Sequence, residues 1–398
     1  MKIRVGVFFG GKSVEHEVSV ISALQACRSL NTEKYEIIPI YITKNTEFYI
    51  GENIGKIEAY RNIPALLKES TRVIPVGNGN TVELLNYPMK KFGNNVAAVI
   101  DVALPVVHGT NVEDGALQGY LQTLGIPYAG CDVLSSALGM DKYAMKCVFA
   151  DNGIPVLPGT VINVKEYTSA QDAVLDMIES KTQYPVIVKP VNLGSSVGIR
   201  KAKDREALAD ALDYAFTFSI KVLVENAITD LKEINCSVLG DYEHAEASEC
   251  EEPVANDEIL SYQDKYVGGT KSSGGKSGMA SLKRKIPADI TPEMREEVRT
   301  LAVKAFRSLG CSGVSRIDFM LDQSTGKIYL NEINTIPGSL SFYLWEPVGV
   351  KYSELLDRMI NLAFKREREN KSISFSFDTN ILENASFGGS KGAKGGKK

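Results

Sequence analysis

Apolar and polar positions alternate along the chain in a pattern that changes period several times. Ile3 to Phe9 is a short β-rich run that stops at Gly10-Gly11. Apolar residues then return at Val18, Ile21, Leu24 and Leu30, close to helical spacing, so the chain opens as β then α. A second strand is expected at Tyr35 to Ile42, a third at Val96 to Val107, and a helix from Gly115 to Leu124 that Gly125 stops. Strands alternating with helices imply a mainly parallel, doubly wound sheet over residues 1–130.

Beyond that region, Ser135 to Asn152 reads as one helix ended by Gly153 and Pro155. Pro185 to Lys189 reads as a buried strand that runs into a glycine-serine loop, Asn192 to Gly198, with Ile199 to Lys201 returning as its hairpin partner. A helix near Arg205 to Phe218 and a strand at Val222 to Glu225 follow. Further strands are expected at Ile234 to Leu239, Val314 to Leu321 and Lys327 to Ile333, the last two facing each other across Gln323-Ser324-Thr325-Gly326. Gly268 to Gly278 has the composition of a mobile loop, and the basic, glycine-rich stretch from about Ser386 that of a disordered tail.

Length and charge narrow this picture. A chain of 398 residues is too long for one core and suggests two or three domains. The net charge of -4 offers no general basic surface for nucleic acid. Gly10-Gly11-Lys12 interrupts the first apolar stretch too early for a signal-peptide core. The longest apolar run, Val96 to Val107, is broken by Asp101 and Pro105 and cannot span a bilayer, so the expected location is cytoplasmic, without a membrane partner. Six scattered cysteines lack zinc-ligand spacing and read as reduced thiols; three histidines are too few for a histidine cluster.

Candidate chemistry concentrates in three places. Side chains alternate along a strand, so Arg316 and Asp318 share one face and Glu332 and Asn334 share one face of the returning strand. Two carboxylates and an amide suit Mg²⁺, and the arginine can balance charge on a transferring phosphoryl group or a tetrahedral centre. A solvated hairpin with ordinary surface charges carries the same spacing. Lys189, emerging from an apolar strand, can meet phosphate as a point charge, and the backbone of Gly194, Ser195, Ser196 and Gly198 can cradle it. A plain hairpin is again the alternative. Gly6 to Ser13 also satisfies the P-loop expression, although Val7, Phe8 and Phe9 would have to leave the core to wrap a phosphate. Glu15-His16-Glu17 at a helix start can hold an ammonium group or simply complement the helix dipole. His108 and Glu113-Asp114-Gly115 follow a strand end, where doubly wound sheets bind ligands.

Taken in order, these segments resemble the D-alanine:D-alanine ligases of the ATP-grasp superfamily. The matching residues are Gly10 to Ser19, His108-Gly109 with Glu113-Asp114-Gly115, Met140-Asp141-Lys142, Val188-Lys189-Pro190 with Gly194 to Gly198, Lys265-Tyr266, Gly313 to Asp318 and Glu332 to Gly338. They lie in family order between about residues 3 and 360. The resemblance implies a three-lobed α/β ligase: an N-terminal substrate domain (1–130), a central ATP-grasp subdomain (131–224), a C-terminal ATP-grasp and metal-binding subdomain (225–370) and a flexible end (371–398).

By the same resemblance, Lys142, Lys189, Gly194, Ser196, Glu225 and Glu233 hold ATP, with Glu225 on the adenine strand and Glu233 at the ribose. Asp318, Glu332 and Asn334 hold two Mg²⁺ (or Mn²⁺) ions, and Arg316 with the Gly338 N–H stabilises the oxyanion. Glu15 binds the first ammonium group, linked to Ser195 and Tyr266 through a closing loop, while His108 and Lys265 lie beside the substrate. The implied reaction joins two D-alanines through an acyl phosphate for peptidoglycan precursor synthesis, in a homodimer whose other partners are small molecules. One position departs from the family pattern: Tyr343 stands where a serine commonly binds the second substrate's carboxylate, leaving Tyr343 or Ser341 to do so. The alternatives are a related ligase that takes D-serine, D-lactate or another amino acid second, a P-loop NTPase, and a catalytically silent amino-acid-binding protein.

Overall fold

The computed structural model describes residues 2–254 and 284–376. Three sheets build it, each with its own apolar core. The first has the order β6-β5-β4-β3-β2-β1-β7, made of β1 (Ile3–Gly10), β2 (Tyr35–Ile42), β3 (Phe48–Ile50), β4 (Thr71–Asn78), β5 (Thr81–Asn86), β6 (Val96–Ile100) and β7 (Val102–Pro105). β1 runs parallel to both β2 and β7 and is buried from Val5 onward, which is why its sequence is continuously apolar rather than alternating. Helices α1 (His16–Ser29), α2 (Ile63–Glu69) and α3 (Ala116–Thr123) accompany this sheet.

The parallel character expected over residues 1–130 therefore holds for the β2-β1-β7 centre, while β3 to β6 add an antiparallel extension. Only two residues, Gly79 and Asn80, separate β4 from β5, and so short a turn joins antiparallel strands alone. The expected single strand from Val96 to Val107 is two strands. Asp101 sits between them, accepting from the Arg4 backbone N–H at 2.8 Å and from the Arg4 guanidinium at 2.6 and 3.0 Å. That clamp turns the chain from pairing with β5 to pairing with β1.

The expected helix at Ser135 to Asn152 is likewise two, α4 (Val133–Met140) and α5 (Lys142–Asp151). The Asp141 carboxylate accepts from the backbone of Tyr143 at 3.0 Å and Ala144 at 2.9 Å, so it caps a new helix whose first residue is Lys142. The second sheet, order β10-β9-β11-β8, is antiparallel: β8 (Gly159–Asn163), β9 (Val186–Pro190), β10 (Arg200–Ala202) and β11 (Lys221–Asn226). It is covered by α6 (Val164–Ser169), α7 (Gln171–Glu179) and α8 (Arg205–Phe216).

The third sheet, order β14-β13-β12-β15-β16, is also antiparallel and comprises β12 (Leu231–Gly240), β13 (Ala245–Pro253), β14 (Arg284–Lys285), β15 (Gly313–Asp322) and β16 (Lys327–Asn334). Helix α9 (Pro292–Ser308) buries Val298, Ala302, Ala305 and Phe306 against it, the spacing of one helix face. After the short α10 (Phe342–Trp345), helix α11 (Tyr352–Lys371) turns Leu355, Leu356, Met359, Ile360 and Ala363 into the core of the first sheet, which also takes in Leu239 and Val314 from the third. No helix among the described residues is long and apolar enough to cross a membrane. The glycine-rich loop Gly268 to Gly278, Lys265, Tyr266 and the tail from Ser386 lie outside the described residues.

Candidate active site

The strands β15 and β16 pair so that Arg316 lies opposite Asn334 and Asp318 opposite Glu332. All four side chains therefore reach one cavity between the sheets. The Arg316 guanidinium grips Asp318 with two hydrogen bonds, 2.6 and 2.7 Å, and Asn334 donates to the same carboxylate at 3.0 Å. Burial works against the charge on Arg316, and the Asp318 carboxylate outweighs it. Opposite, the Glu332 carboxylate lies 3.1 Å from the Lys142 ammonium.

Two lysines project into the cavity, Lys189 from the second sheet and Lys142 from α5, whose Met145 and Phe149 pack in the core of the third. Lys142, placed by the Asp141 cap, also donates to the Leu193 carbonyl at 2.7 Å. Lys189 leaves β9 to reach the Asn331 side chain at 3.2 Å and pairs with buried Glu225. A third lysine, Lys146, pairs with Glu225 from the other side, one helical turn beyond Lys142. Burial, followed by the Lys189 charge, pushes its ammonium down to about 8 against the pull of Glu225. Sequence reasoning missed Lys146, although a lysine on the helix face that buries Met145 and Phe149 was a usable signal. The loop after β9 turns through left-handed backbone at Ser195 (φ 54°), Ser196 (φ 59°) and Gly198 (φ 79°).

The opposite wall comes from the first lobe. Gly10 has φ of 93°, and a Cβ there would meet the Ile42 carbonyl oxygen at 2.3 Å, so only glycine permits the sharp exit from β1. That exit sets buried Glu15 before α1, where its carboxylate accepts from the Ser195 hydroxyl. Gly109 and Gly194 press against the same carboxylate: a Cβ on either would lie 2.8 Å from its Oε2. His16 points away, bonded to Gly11 and Tyr41, and Glu17 pairs with Lys44 at the surface. Val7, Phe8 and Phe9 stay fully buried in β1 and Lys12 is exposed, so the stretch matching the P-loop expression forms no phosphate-wrapping turn.

His108 and Glu113 join this wall to the end of β16. His108 Nδ1 meets the Ile336 carbonyl at 2.8 Å, an atom that only accepts, so Nδ1 carries the proton and Nε2 faces the Ser22 hydroxyl at 3.0 Å. Burial lowers this imidazole to about 4, which keeps it neutral. Glu113 accepts from the backbone of Gly109 and Ile336, both at 2.9 Å. Burial first, and the Glu15 charge second, raise its carboxyl to about 8.

After Pro337 the chain makes a left-handed turn through Ser339, Leu340 and Ser341, with φ of 52, 50 and 50°. The cavity is lined by Glu15, His108, Lys142, Lys189, Gly194, Ser195, Ser196, Glu225, Glu233, Arg316, Asp318, Glu332, Asn334 and Gly338. Ser341 and Tyr343 are buried behind it instead: the left-handed turn carries Ser341 inward, and the Tyr343 hydroxyl donates to Glu251 at 3.2 Å. Glu251 and Arg284 line the cavity at that end, and neither was singled out from the sequence.

The chain matches the family descriptions "D-ala D-ala ligase N-terminus" over residues 4–131 and "D-ala D-ala ligase C-terminus" over residues 148–361. It is 42% identical over 380 residues to a D-alanine--D-alanine ligase of Acetivibrio thermocellus, covering 93% of this chain and 98% of the relative. A D-alanine--D-alanine ligase of Thermosipho melanesiensis is 38% identical over 381 residues, 96% of this chain and 98% of its own. Among solved structures, the D-alanine-D-alanine ligase of Coxiella burnetii superposes with a TM-score of 0.76 at 28% identity, covering 93% of this chain and 96% of that one. The VanG D-Ala:D-Ser ligase of Enterococcus faecalis gives 0.73 at 32% identity, covering 91% and 100%. With this fold, this cavity and likeness along almost the whole length, the chain belongs to the D-alanine:D-alanine ligase family, a family of ATP-dependent ligases.

Proposed function

We infer that the chain joins two D-alanines into D-alanyl-D-alanine at the expense of ATP. The observation that carries this reading is one cavity with Lys142 and Lys189 on one side, the Arg316, Asp318, Glu332 and Asn334 set on another, and the Glu15–Ser195 pair on a third. Cations for phosphates, hard oxygen donors and an ammonium acceptor thus surround one volume.

In this reading the first D-alanine docks its ammonium at Glu15, and its carboxylate oxygen attacks the γ-phosphorus of ATP, releasing ADP. Lys142 and Lys189 balance the phosphate charge, and the Ser195–Ser196 loop covers it. The amine of the second D-alanine then attacks the acyl carbonyl, the C–O bond to phosphate breaks, and inorganic phosphate leaves. Arg316 and the Gly338 N–H face the oxygen on which negative charge grows. Asp318, Glu332 and Asn334 offer two carboxylates and an amide oxygen, a donor set that fits Mg²⁺ or Mn²⁺ and leaves positions for phosphate oxygens. Bound there, the metal supplies positive charge to the phosphates.

Lys265 and Tyr266 belong to the proposal on the resemblance alone, as do the homodimer and the cytoplasmic setting. The test is phosphate release across D- and L-amino acids with ATP and Mg²⁺, followed by product analysis with D-alanine and D-lactate in competition. Release confined to D-alanine, with dipeptide as product and activity rising from mildly acidic to mildly alkaline pH, is expected, because the nucleophile is a neutral amine. Mainly D-alanyl-D-lactate near neutral pH refutes the substrate assignment.

A further inference from the structure

Two ammonium groups meet one carboxylate in the wall of the cavity. β9 and β11 pair so that Lys189 lies opposite Leu223, and Glu225, two residues further along β11, shares the face of Lys189. α5 brings Lys146 to the same carboxylate, four residues after Lys142 and on nearly the same helix face. All three groups are buried, with exposures of 2% at Glu225 and 4% at each of Lys146 and Lys189. Lys189 and Glu225 line the cavity, whereas Lys146 is not part of its described wall and meets Glu225 from behind.

Charge arithmetic separates the two lysines. One buried lysine and one buried glutamate form a neutral pair, and Lys189 with Glu225 alone would offer phosphate no net charge. With Lys146 the cluster carries one positive charge, and Lys189, which also donates to Asn331 at 3.2 Å, is the lysine that faces the cavity. Burial works against the charge on Glu225, and the Lys189 and Lys146 charges outweigh it. A neutral pair needs no second ammonium, and burying one is unfavourable, so packing alone gives no reason for Lys146 to be charged.

We propose that Lys146 takes up the charge of Glu225 from behind the cavity wall and so leaves the Lys189 ammonium free to act on the phosphates of ATP. Lys146 is a positioning residue that works through Glu225 and touches no substrate. This rests on the reading that Lys189 meets phosphate.

The test titrates ATP with Mg²⁺, in the absence of D-alanine, into the full chain and into Lys146→Met, Glu225→Gln and the double variant. Lys146→Met keeps the length of the side chain and is expected to weaken ATP binding about tenfold, while KM for D-alanine stays within about twofold. Lys146→Arg, which keeps the charge, recovers most of that loss. Without the carboxylate, a buried Lys146 beside Lys189 sheds its proton, so adding Lys146→Met to Glu225→Gln costs less than about twofold. Unmutated ATP affinity in Lys146→Met overturns the proposal. So does an equal loss with and without Glu225, which is the outcome of a packing role in α5 or of a direct pull on the nucleotide. If Lys146→Met does not fold, Lys146→Gln, which keeps a donor to Glu225 without the charge, takes its place with the same two outcomes. Unmutated ATP affinity in Lys189→Ala counts against the phosphate reading instead.

Discussion

Asp318 carries more partners than its proposed role as a metal ligand alone requires. Its carboxylate accepts from Nε and Nη2 along one edge of Arg316 and from the Asn334 amide, so Asp318→Asn loosens the proposed metal site and the oxyanion side together. Glu332→Gln removes charge from the proposed metal site and the charged partner of Lys142. Each substitution is expected to lower kcat by at least about 100-fold with the fold intact, measured by phosphate release at saturating Mg²⁺ alongside circular dichroism. Near-normal turnover would remove the metal assignment. Lys189→Ala should weaken ATP affinity far more than Lys12→Ala, by about tenfold or more against less than about twofold, because Lys189 is buried in the cavity and Lys12 is exposed. Nucleotide titration of both variants settles the order. The period-two pattern of β15 and β16 made the Arg316 to Asn334 set legible in the sequence, since alternation fixes which side chains share a face. Arg284 and Glu251 were not legible. Their partners Tyr343 and Asn235 are 59 and 16 positions away in sequence, distances set by strand order and not by any local pattern.

At the scale of elements, both misread segments failed at a single aspartate. Periodicity carries across Asp101 and Asp141 because apolar residues lie on both sides; what ends each element is a carboxylate satisfying backbone N–H groups. An Asp one residue before the Lys142 turn was a cap signal that the apolar pattern overrode. Asp141→Ala is expected to cost about 1 kcal/mol of stability through loss of the cap. Its ion pair with half-buried Lys221 adds little. Because Lys142 is the first residue of the capped helix, the same change should raise KM for ATP severalfold; thermal unfolding and steady-state kinetics read the two effects separately. An unchanged melting temperature would show that the cap does not hold α5. The antiparallel strands β3 to β5 were left unassigned in the sequence, since short polar stretches between residues 44 and 95 hide their alternation.

Across the whole molecule, His108 and Glu113 clamp the first lobe to the end of β16, and the two titrate in opposite senses. The His108 imidazole is lowered from 6.5 to about 4, so its contribution is complete above pH 6.5 and is lost as pH falls towards 4. The Glu113 carboxyl is raised from 4.5 to about 8, so its contribution is complete below pH 4.5 and is lost as pH rises through 8. Glutamine at position 108 can still donate to Ile336 and cannot titrate. His108→Gln should therefore lose less stability than the unmutated protein between pH 7 and pH 5, as read from urea midpoints; equal losses would deny the imidazole that role.

The last helix has a consequence for the order in which the protein can be made. Leu355, Leu356, Met359, Ile360 and Ala363 complete the core laid down by β1, β2 and β7, yet they are synthesised more than 200 residues later. A nascent chain emerging from the ribosome therefore exposes part of that apolar face until translation is nearly finished, a setting in which chains aggregate or engage chaperones. A stalled chain ending at Val350 should pellet or bind a chaperone, while one reaching Ser372 should be protease-resistant. Early quality control would then fall on the first lobe, the part of the protein translated soonest and closed last.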